Sequence, residues 1–310
     1  MARGQRELHL MGTVITLDIQ VDADPEPILA ECATLLQVAE HRFSANAADS
    51  ELMAVNHAAG RHPVKVHPQL FALIELGKTH SCAPASHLNI AIGPLVQTWR
   101  IGFSDARVPS AAEIAACLPL IDPRQIQLNP ATQEVYLPQV GMALDLGALA
   151  KGYSADLVIA HLQARHVQSA LVNLGGNLVT WGPALAHADH LWRIGIQDPR
   201  SPRGDYLTAL KLPAGSVVTS GIYERHLERD GHSYHHIFDS RTGYPLVTDL
   251  ASLTIFSEKS VTGEIWTSRL FGHDANEILA QIAAEPRIEG ILVFQDGHWQ
   301  ASAGLQGHFL

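Results

Sequence analysis

The sequence predicts an α+β protein, and three observations carry that expectation. Strand-like alternation and helical apolar stripes both occur along the whole chain, but without the strict βαβ alternation of a doubly wound sheet. Hydrophobic residues make up 46% of the 310 and charged residues 17%, enough for a substantial core. No repeat, low-complexity tract or linker divides the chain, so residues 8–305 are expected to form a single domain, with any second lobe nested rather than appended.

The elements follow in order. Leu8 to Val21 alternates and reads as a strand broken at Gly12. Pro25 to Phe43 places apolar residues at 28, 29, 32, 35, 36 and 39, a helical stripe that puts Cys32 in the core. Ser50 to His57 is a short helix, and Pro68 to Ser81 repeats the stripe with Leu70, Leu73, Ile74 and Leu76. Ser110 to Leu118 opens on a serine cap with an acid at the third helical position. Ile126–Leu128 and Glu134–Leu137 read as a hairpin around Asn129-Pro130. The apolar run Val140–Leu144 reads as a strand leading into a turn, and Lys151 opens a helical pattern, Ser154 to Arg165. Leu171 to Trp181 reads as one strand interrupted at Asn173–Asn177. Leu191–Gln197 and Leu207–Leu212 are strands around the turn-rich Asp198–Gly204, followed by strands Ser216–Ser220 and Leu250–Phe256. Asn276–Ala284 is a helix, and Gly290–Phe294 with Trp299–Ala301 close the chain as a hairpin.

Thirty-one acids against 21 Lys and Arg give a net charge of −10, which argues against nonspecific binding to nucleic acid or to an anionic membrane. Cys32, Cys82 and Cys117 are odd in number and contain no CxxC pair, so a disulfide framework is not expected. The chain as given carries no leader-like apolar segment, lipobox cysteine or membrane span. A soluble, cytoplasmic protein is expected, with a periplasmic setting left open if a leader was removed.

The segment with the most chemistry is Asp145-Leu146-Gly147-Ala148-Leu149-Ala150-Lys151-Gly152-Tyr153: an acid, two glycines and a lysine among small apolar residues. A bare turn opening a helix presents amide N–H groups to an anion, and small residues let it approach; the same pattern also serves a tight turn that packs a helix on a sheet. His235-His236 is a second candidate. Neighbours on a strand point to opposite faces, so only one can enter a given site. Asp239 to Pro245 is turn chemistry, and Gly175-Gly176 marks a backbone that something approaches closely. There is no HExxH, zinc-spaced cysteine cluster, G-x-S-x-G elbow or Walker lysine.

Read in order, these segments resemble one family, the ApbE-like FAD:protein FMN transferases, from about residue 9 to 272. Met11-Gly12-Thr13 resembles its opening motif. Arg42-Phe43-Ser44 with Asp49-Ser50-Glu51-Leu52 and Asn56 resembles "FS…DSEL…N", and Ile92 to Val96 with Trp99 resembles "VGPLV…W". Asp145–Tyr153 resembles "DLGAIAKGY", and Asn173 with Gly175-Gly176 resembles "NxGGD". Thr219-Ser220-Gly221 with Tyr223-Glu224-Arg225 resembles "TSGDYER"; His236 to Pro245 resembles "HIIDPRTGYP". An ordered set of matches is far more specific than any one of them.

The resemblance implies T-fold-related mixed sheets with packed helices and a FAD cleft between two intertwined lobes. It implies Mg²⁺-dependent transfer of FMN from FAD to a Thr or Ser hydroxyl of an acceptor protein of a redox system, with AMP leaving. Carried over by position, Met11, Asn46, Leu88, Asn89, Ile90, Asp145, Lys151, His236 and Ile237 would contact FAD. Ala148 (through its carbonyl), Glu264 and Ser268 would hold the metal, a hard-oxygen set suited to Mg²⁺. His236 is the candidate general base, its alternative being a hydrogen-bonded strand histidine.

The chain departs from the family pattern at the second metal segment, roughly "DALSTALFV". Here Glu264 stands for Asp and Ser268 for Thr, and Arg269 adds a charge that could pair with Glu264, meet a FAD phosphate or face solvent. Glu is longer by about one C–C bond, roughly 1.5 Å. Asn46 stands for Tyr, Leu88-Asn89 for "FD", Ala91 for Thr, Asn177 for Asp, Ile222 for Asp and Ser240 for Pro. These losses keep two other readings open: a noncatalytic FAD-binding carrier or assembly protein, and a hydrolase that splits FAD into FMN and AMP.

Overall fold

The computed structural model describes residues 1–202 and 204–310. Of the expected turn Asp198–Gly204, Arg203 therefore lies outside the described residues.

The chain opens on a hairpin of β1 (Ala2–Leu10) and β2 (Thr13–Val21). Leu10 pairs with Thr13 across Met11-Gly12, whose φ values of 54° and 68° make the positive-φ turn that matches strand twist. The break expected at Gly12 is thus a reversal. Then follow α1 (Pro25–Phe43), α2 (Glu51–His57), β3 (Val64–Lys65), α3 (Pro68–Ser81), α4 (Gly93–Trp99) and α5 (Ala111–Cys117). Local capping sets the helix starts: Asp24, Ser50 and Ser110 each accept from a first-turn N–H, and Ser110 with Glu113 closes a capping box.

The middle of the chain holds β4 (Gln127–Asn129), β5 (Glu134–Tyr136), α6 (Ala150–Ala164), β6 (Ser169–Leu174), β7 (Asn177–Trp181), β8 (Trp192–Gln197) and β9 (Tyr206–Leu212). Last come β10 (Ser216–Gly221), β11 (His226–Arg229), β12 (His232–His235), β13 (Leu250–Ser257), α7 (Ser260–Leu270), α8 (Ala275–Ala284), β14 (Ile288–Phe294) and β15 (Trp299–Ala301).

Eight strands form one sheet, in the order β1-β2-β6-β7-β10-β13-β14-β15, with antiparallel neighbours throughout. β2 buries Ile15, Leu17, Ile19 and Val21, the period of a half-buried strand, whereas β13 is buried on both faces. Helices α1, α6, α7 and α8 follow one another across the sheet, over β1–β2, β6–β7, β10–β13 and β14 respectively. The β8–β9 hairpin adds Ile194, Ile196 and Leu210 to a separate cluster with Val217, Phe256, Ile291 and Val293.

Two expectations are corrected. Leu171–Trp181 is not one interrupted strand but the β6–β7 hairpin, because Gly175 and Gly176, at φ 63° and 92°, turn the chain back. Val140–Leu144 is not a strand. Gly141 sits at φ 92°, and the Asn56 amide takes both main-chain groups of Leu144, accepting its N–H at 2.7 Å and donating to its C=O at 3.0 Å. Helices α4 and α7 were not anticipated, and α6 starts earlier than the pattern at Ser154 suggests. Among the described residues no helix is long and apolar enough to cross a membrane.

Candidate active site

The scattered motifs converge on the short segment that leads into α6. Asn56 clamps Leu144; Asp145 N–H donates to the Ile90 carbonyl at 2.9 Å; a Cβ on Gly93 would come within 2.7 Å of the Ala143 carbonyl oxygen. Leu144, Leu146 and Leu149 are buried with Leu88, Ile90, Val261 and Ile265, so the intervening polar groups stand on a packed floor. Asp145 is half-buried and its Oδ1 accepts from Gly147 N–H at 2.7 Å, a local turn. Loss of hydration pushes its carboxyl above the usual range, opposed by that hydrogen bond and by Arg225 and Lys151.

The two glycines of this segment do different work. Gly147 is exposed, and a Cβ there would meet only Asp145 Oδ1, at 2.9 Å. At Gly152 a Cβ would fall 2.7 Å from Glu264 Cγ and 2.8 Å from the Ser260 carbonyl oxygen. Gly152 therefore serves close approach of α6 and α7 rather than of a phosphate. Asp156 completes the junction: it accepts from the N–H groups of Ser260 (2.7 Å) and Val261 (2.9 Å), capping α7, whose own N-cap residue Lys259 provides no side-chain cap.

Glu264 is buried at this junction. Its Oε1 accepts from Asn177 Nδ2 at 2.8 Å and lies 3.5 Å from Lys151 Nζ. The Ser260 hydroxyl donates to Asn177 Oδ1, which fixes the amide with its NH₂ toward Glu264. Among the described residues Glu264 Oε2, the Ser268 hydroxyl and the Ala148 carbonyl have no hydrogen-bond partner, nor do the N–H groups of Lys151 and Gly152 at the start of α6. Ser268 lies one turn beyond Glu264 on the same face of α7. This donor set, a carboxylate, a hydroxyl and a carbonyl with an oxygen to spare on each, fits a hard divalent cation such as Mg²⁺.

His236 follows the end of β12. His235 turns inward, its Nε2 against the Leu246 carbonyl at 2.9 Å, which sends His236 the other way. The Nδ1 of His236 lies 3.2 Å from the Arg225 carbonyl, an acceptor, so Nδ1 carries the proton and Nε2 keeps its lone pair. Burial, with the nearby Arg225 and Lys151 cations, lowers its pKa to about 4.

The remaining candidates separate into contacts and supports. Met11 is half-buried at the hairpin turn, its N–H donating to Glu40 Oε1 at 2.5 Å. Asn46 is exposed and bonds locally to Ser44 Oγ. The Leu88 and Ile90 side chains are core, and both main-chain groups of Ile90 are taken, by Ser81 Oγ and by Asp145 N–H; Ile90 therefore acts on this site by holding Asp145. Asn89 donates to the Ile121 carbonyl and to Ser240 Oγ, and Ile237 is half-buried, its carbonyl accepting from Leu246. Arg269 does not pair with Glu264: its guanidinium lies 4.3 Å over the Trp266 ring and 3.4 Å from His80. Sequence reasoning saw Asn177 only as a lost carboxylate and missed Asp156, whose signal, an acid in the second turn of a helix, is too common to be read. A cavity of about 460 Å³ is lined by residues that include His87, Asp239, Ser240, Arg241 and His273, none of them among the expected site residues.

A family model described as the ApbE family matches residues 11–292. An FAD:protein FMN transferase of Klebsiella pneumoniae is 43% identical over 284 residues, covering 92% of this chain and 87% of that protein. Another of the same name, from Treponema pallidum, is 38% identical over 91% of this chain and 81% of its own length. The fold is similar to the crystal structure of the ApbE protein of Thermotoga maritima, with a TM-score of 0.89 and 24% identity over 98% of both chains. It is also similar to the flavin transferase ApbE of Vibrio cholerae, with a TM-score of 0.85 and 24% identity over 99% of this chain and all of that one. This chain belongs to the ApbE family.

Proposed function

We propose that this ApbE-family chain is a Mg²⁺-dependent flavin transferase that moves FMN from FAD onto a Thr or Ser hydroxyl of an acceptor protein. The observation that carries the reading is the junction of α6 and α7. There Lys151, at a helix start whose N–H groups are open, lies 3.5 Å from a buried Glu264 that keeps one carboxylate oxygen without a hydrogen-bond partner among the described residues, which supports anion and metal binding at this junction. The site draws on Met11 near one end of the chain and Glu264 near the other, which supports residues 8–305 working as one unit.

In this reading Lys151 and the α6 N–H groups hold the diphosphate. The acceptor oxygen bonds to the phosphorus on the FMN side while the bond from that phosphorus to the bridging oxygen breaks, and AMP leaves with the electron pair. His236 Nε2 takes the hydroxyl proton and passes it to solvent. Mg²⁺ bound by Ala148, Glu264 and Ser268 would neutralise charge on the diphosphate oxygens. Asn177 and Lys151 keep Glu264 Oε1 occupied and so leave Oε2 for that task.

The test is incubation with FAD, Mg²⁺ and an acceptor domain. Covalent flavin on the acceptor with stoichiometric AMP is expected, and its absence beside an active family member rejects the reading. AMP formed without acceptor would instead mark a hydrolase. FAD binding that ignores Mg²⁺ and releases no AMP would mark a carrier.

A further inference from the structure

We infer that Glu40 is a positioning residue for FAD that acts through Met11, an inference that rests on the flavin-transfer reading above. Met11 is the first residue of the two-residue β1–β2 turn and stands at φ 54°, in the left-handed region that residues other than glycine seldom adopt. The strand ladder closes this turn without help, since Leu10 pairs with Thr13 across it. Glu40, in the last turn of α1, nevertheless reaches the turn and accepts the Met11 N–H on Oε1 at 2.5 Å. Among the described residues the Glu40 side chain has no other hydrogen-bond partner and no cationic partner. A carboxylate given to a single main-chain N–H ties the turn to α1 rather than neutralising a charge. Backbone strain of this kind persists only where the surroundings over-determine it, and it gathers at ligand clamps.

The turn that Glu40 holds lies against both halves of the site. The Met11 side chain packs on the buried cluster that contains Leu146 and Leu149, the residues flanking Gly147-Ala148. Phe43, three residues beyond Glu40, meets the Tyr153 ring edge-on at 5.7 Å, so the end of α1 braces the start of α6 as well. On the other side the turn abuts the β6–β7 turn, where a Cβ on Gly175 would collide with Thr13 Oγ1. Two residues further on is Asn177, which donates to Glu264. Met11 is only half-buried, which leaves part of it for the FAD contact of the flavin reading. Without Glu40 the ladder stays closed but the turn is free to shift, and FAD binding must then order it.

Calorimetric titration of FAD into the unaltered chain, Glu40→Ala, Glu40→Gln, Met11→Ala and the double variant Glu40→Ala with Met11→Ala tests this. Glu40→Ala is expected to bind FAD about 3- to 30-fold more weakly, the range set by one hydrogen bond. Glu40→Gln keeps an oxygen that can accept the Met11 N–H and should recover most of the loss. In the Met11→Ala background, removal of Glu40 should add less than about twofold, because the side chain it positions is already gone; a general loosening of the fold would weaken both backgrounds equally. In flavin transfer, Glu40→Ala should raise KM for FAD and leave kcat within about twofold. Unchanged FAD affinity in Glu40→Ala, an equal loss in Glu40→Gln, or additive losses in the double variant overturns the role of Glu40 and leaves the flavin reading standing. An unaltered chain that does not bind FAD overturns both.

Discussion

The two halves of the candidate site are built by different means. The α6 half, Asp145 to Gly152, is anchored where Asp145 N–H meets the Ile90 carbonyl, and from there its shape is local: an aspartate turned onto the N–H two residues on, then a helix start with its N–H groups open. The α7 half owes its geometry to other parts of the chain. Asp156 of α6 caps it, Asn177 of β7 and Lys151 of α6 hold Glu264, and Gly152 admits the Glu264 side chain. The lesson is that the changed residues of the second half form a network. Asn177 can donate to Glu264, where a carboxylate at 177 would repel it.

Four substitutions put that contrast at risk, from the largest expected effect down. Lys151→Met removes the one charge both halves share. It should lower kcat/KM for flavin transfer by about 10²- to 10³-fold, the cost of losing one preorganised donor to a developing charge. A loss below tenfold would show that the halves work independently.

His236→Gln tests the candidate general base, which belongs to neither half. Its folded-state pKa, about 4, lies below its ordinary 6.5, so the unfolded chain binds the extra proton first as pH falls. The native state should therefore lose stability between pH 6.5 and 4, by up to roughly 3 kcal/mol. The Gln variant should flatten that part of a urea-melt series; an unchanged slope would mean His236 titrates normally.

Asn177→Leu leaves Glu264 Oε1 and the Ser260 hydroxyl each short of a partner. About 2 kcal/mol of stability should be lost in denaturant melts, together with weaker activation by Mg²⁺. If stability falls but the Mg²⁺ dependence does not, the network is structural alone.

The paired glycines give the finest comparison. Gly152→Ala forces α6 and α7 apart and should cost about 1 to 2 kcal/mol. Gly147→Ala, exposed and at ordinary φ, should stay within about 0.5 kcal/mol by the same melts. Equal costs would contradict the packing assigned to Gly152.

Some of this was legible in the residues. The α1 and α3 stripes gave both helices at their observed bounds, since a long amphipathic period and local caps need no tertiary information. Val140–Leu144 misled because its apolar pattern is that of a strand while its main-chain partner is a side chain, Asn56, from 88 residues away. Helix α7 was missed because it lacks its own cap and its buried face is mixed, with Gly263 and Glu264 among the apolar residues.

What the sequence determined by itself was the local chemistry: helix stripes, caps, and the order of motifs that marks the family. The tertiary structure decided how those motifs meet. It sent His235 inward and His236 outward, set Arg269 against Trp266, gave Gly152 to helix packing and tied Asn177 to Glu264. Local turns depend on residues a few positions apart, which the sequence places side by side. A buried carboxylate is governed by donors and charges that arrive from distant segments, and only the folded chain brings them within hydrogen-bonding reach.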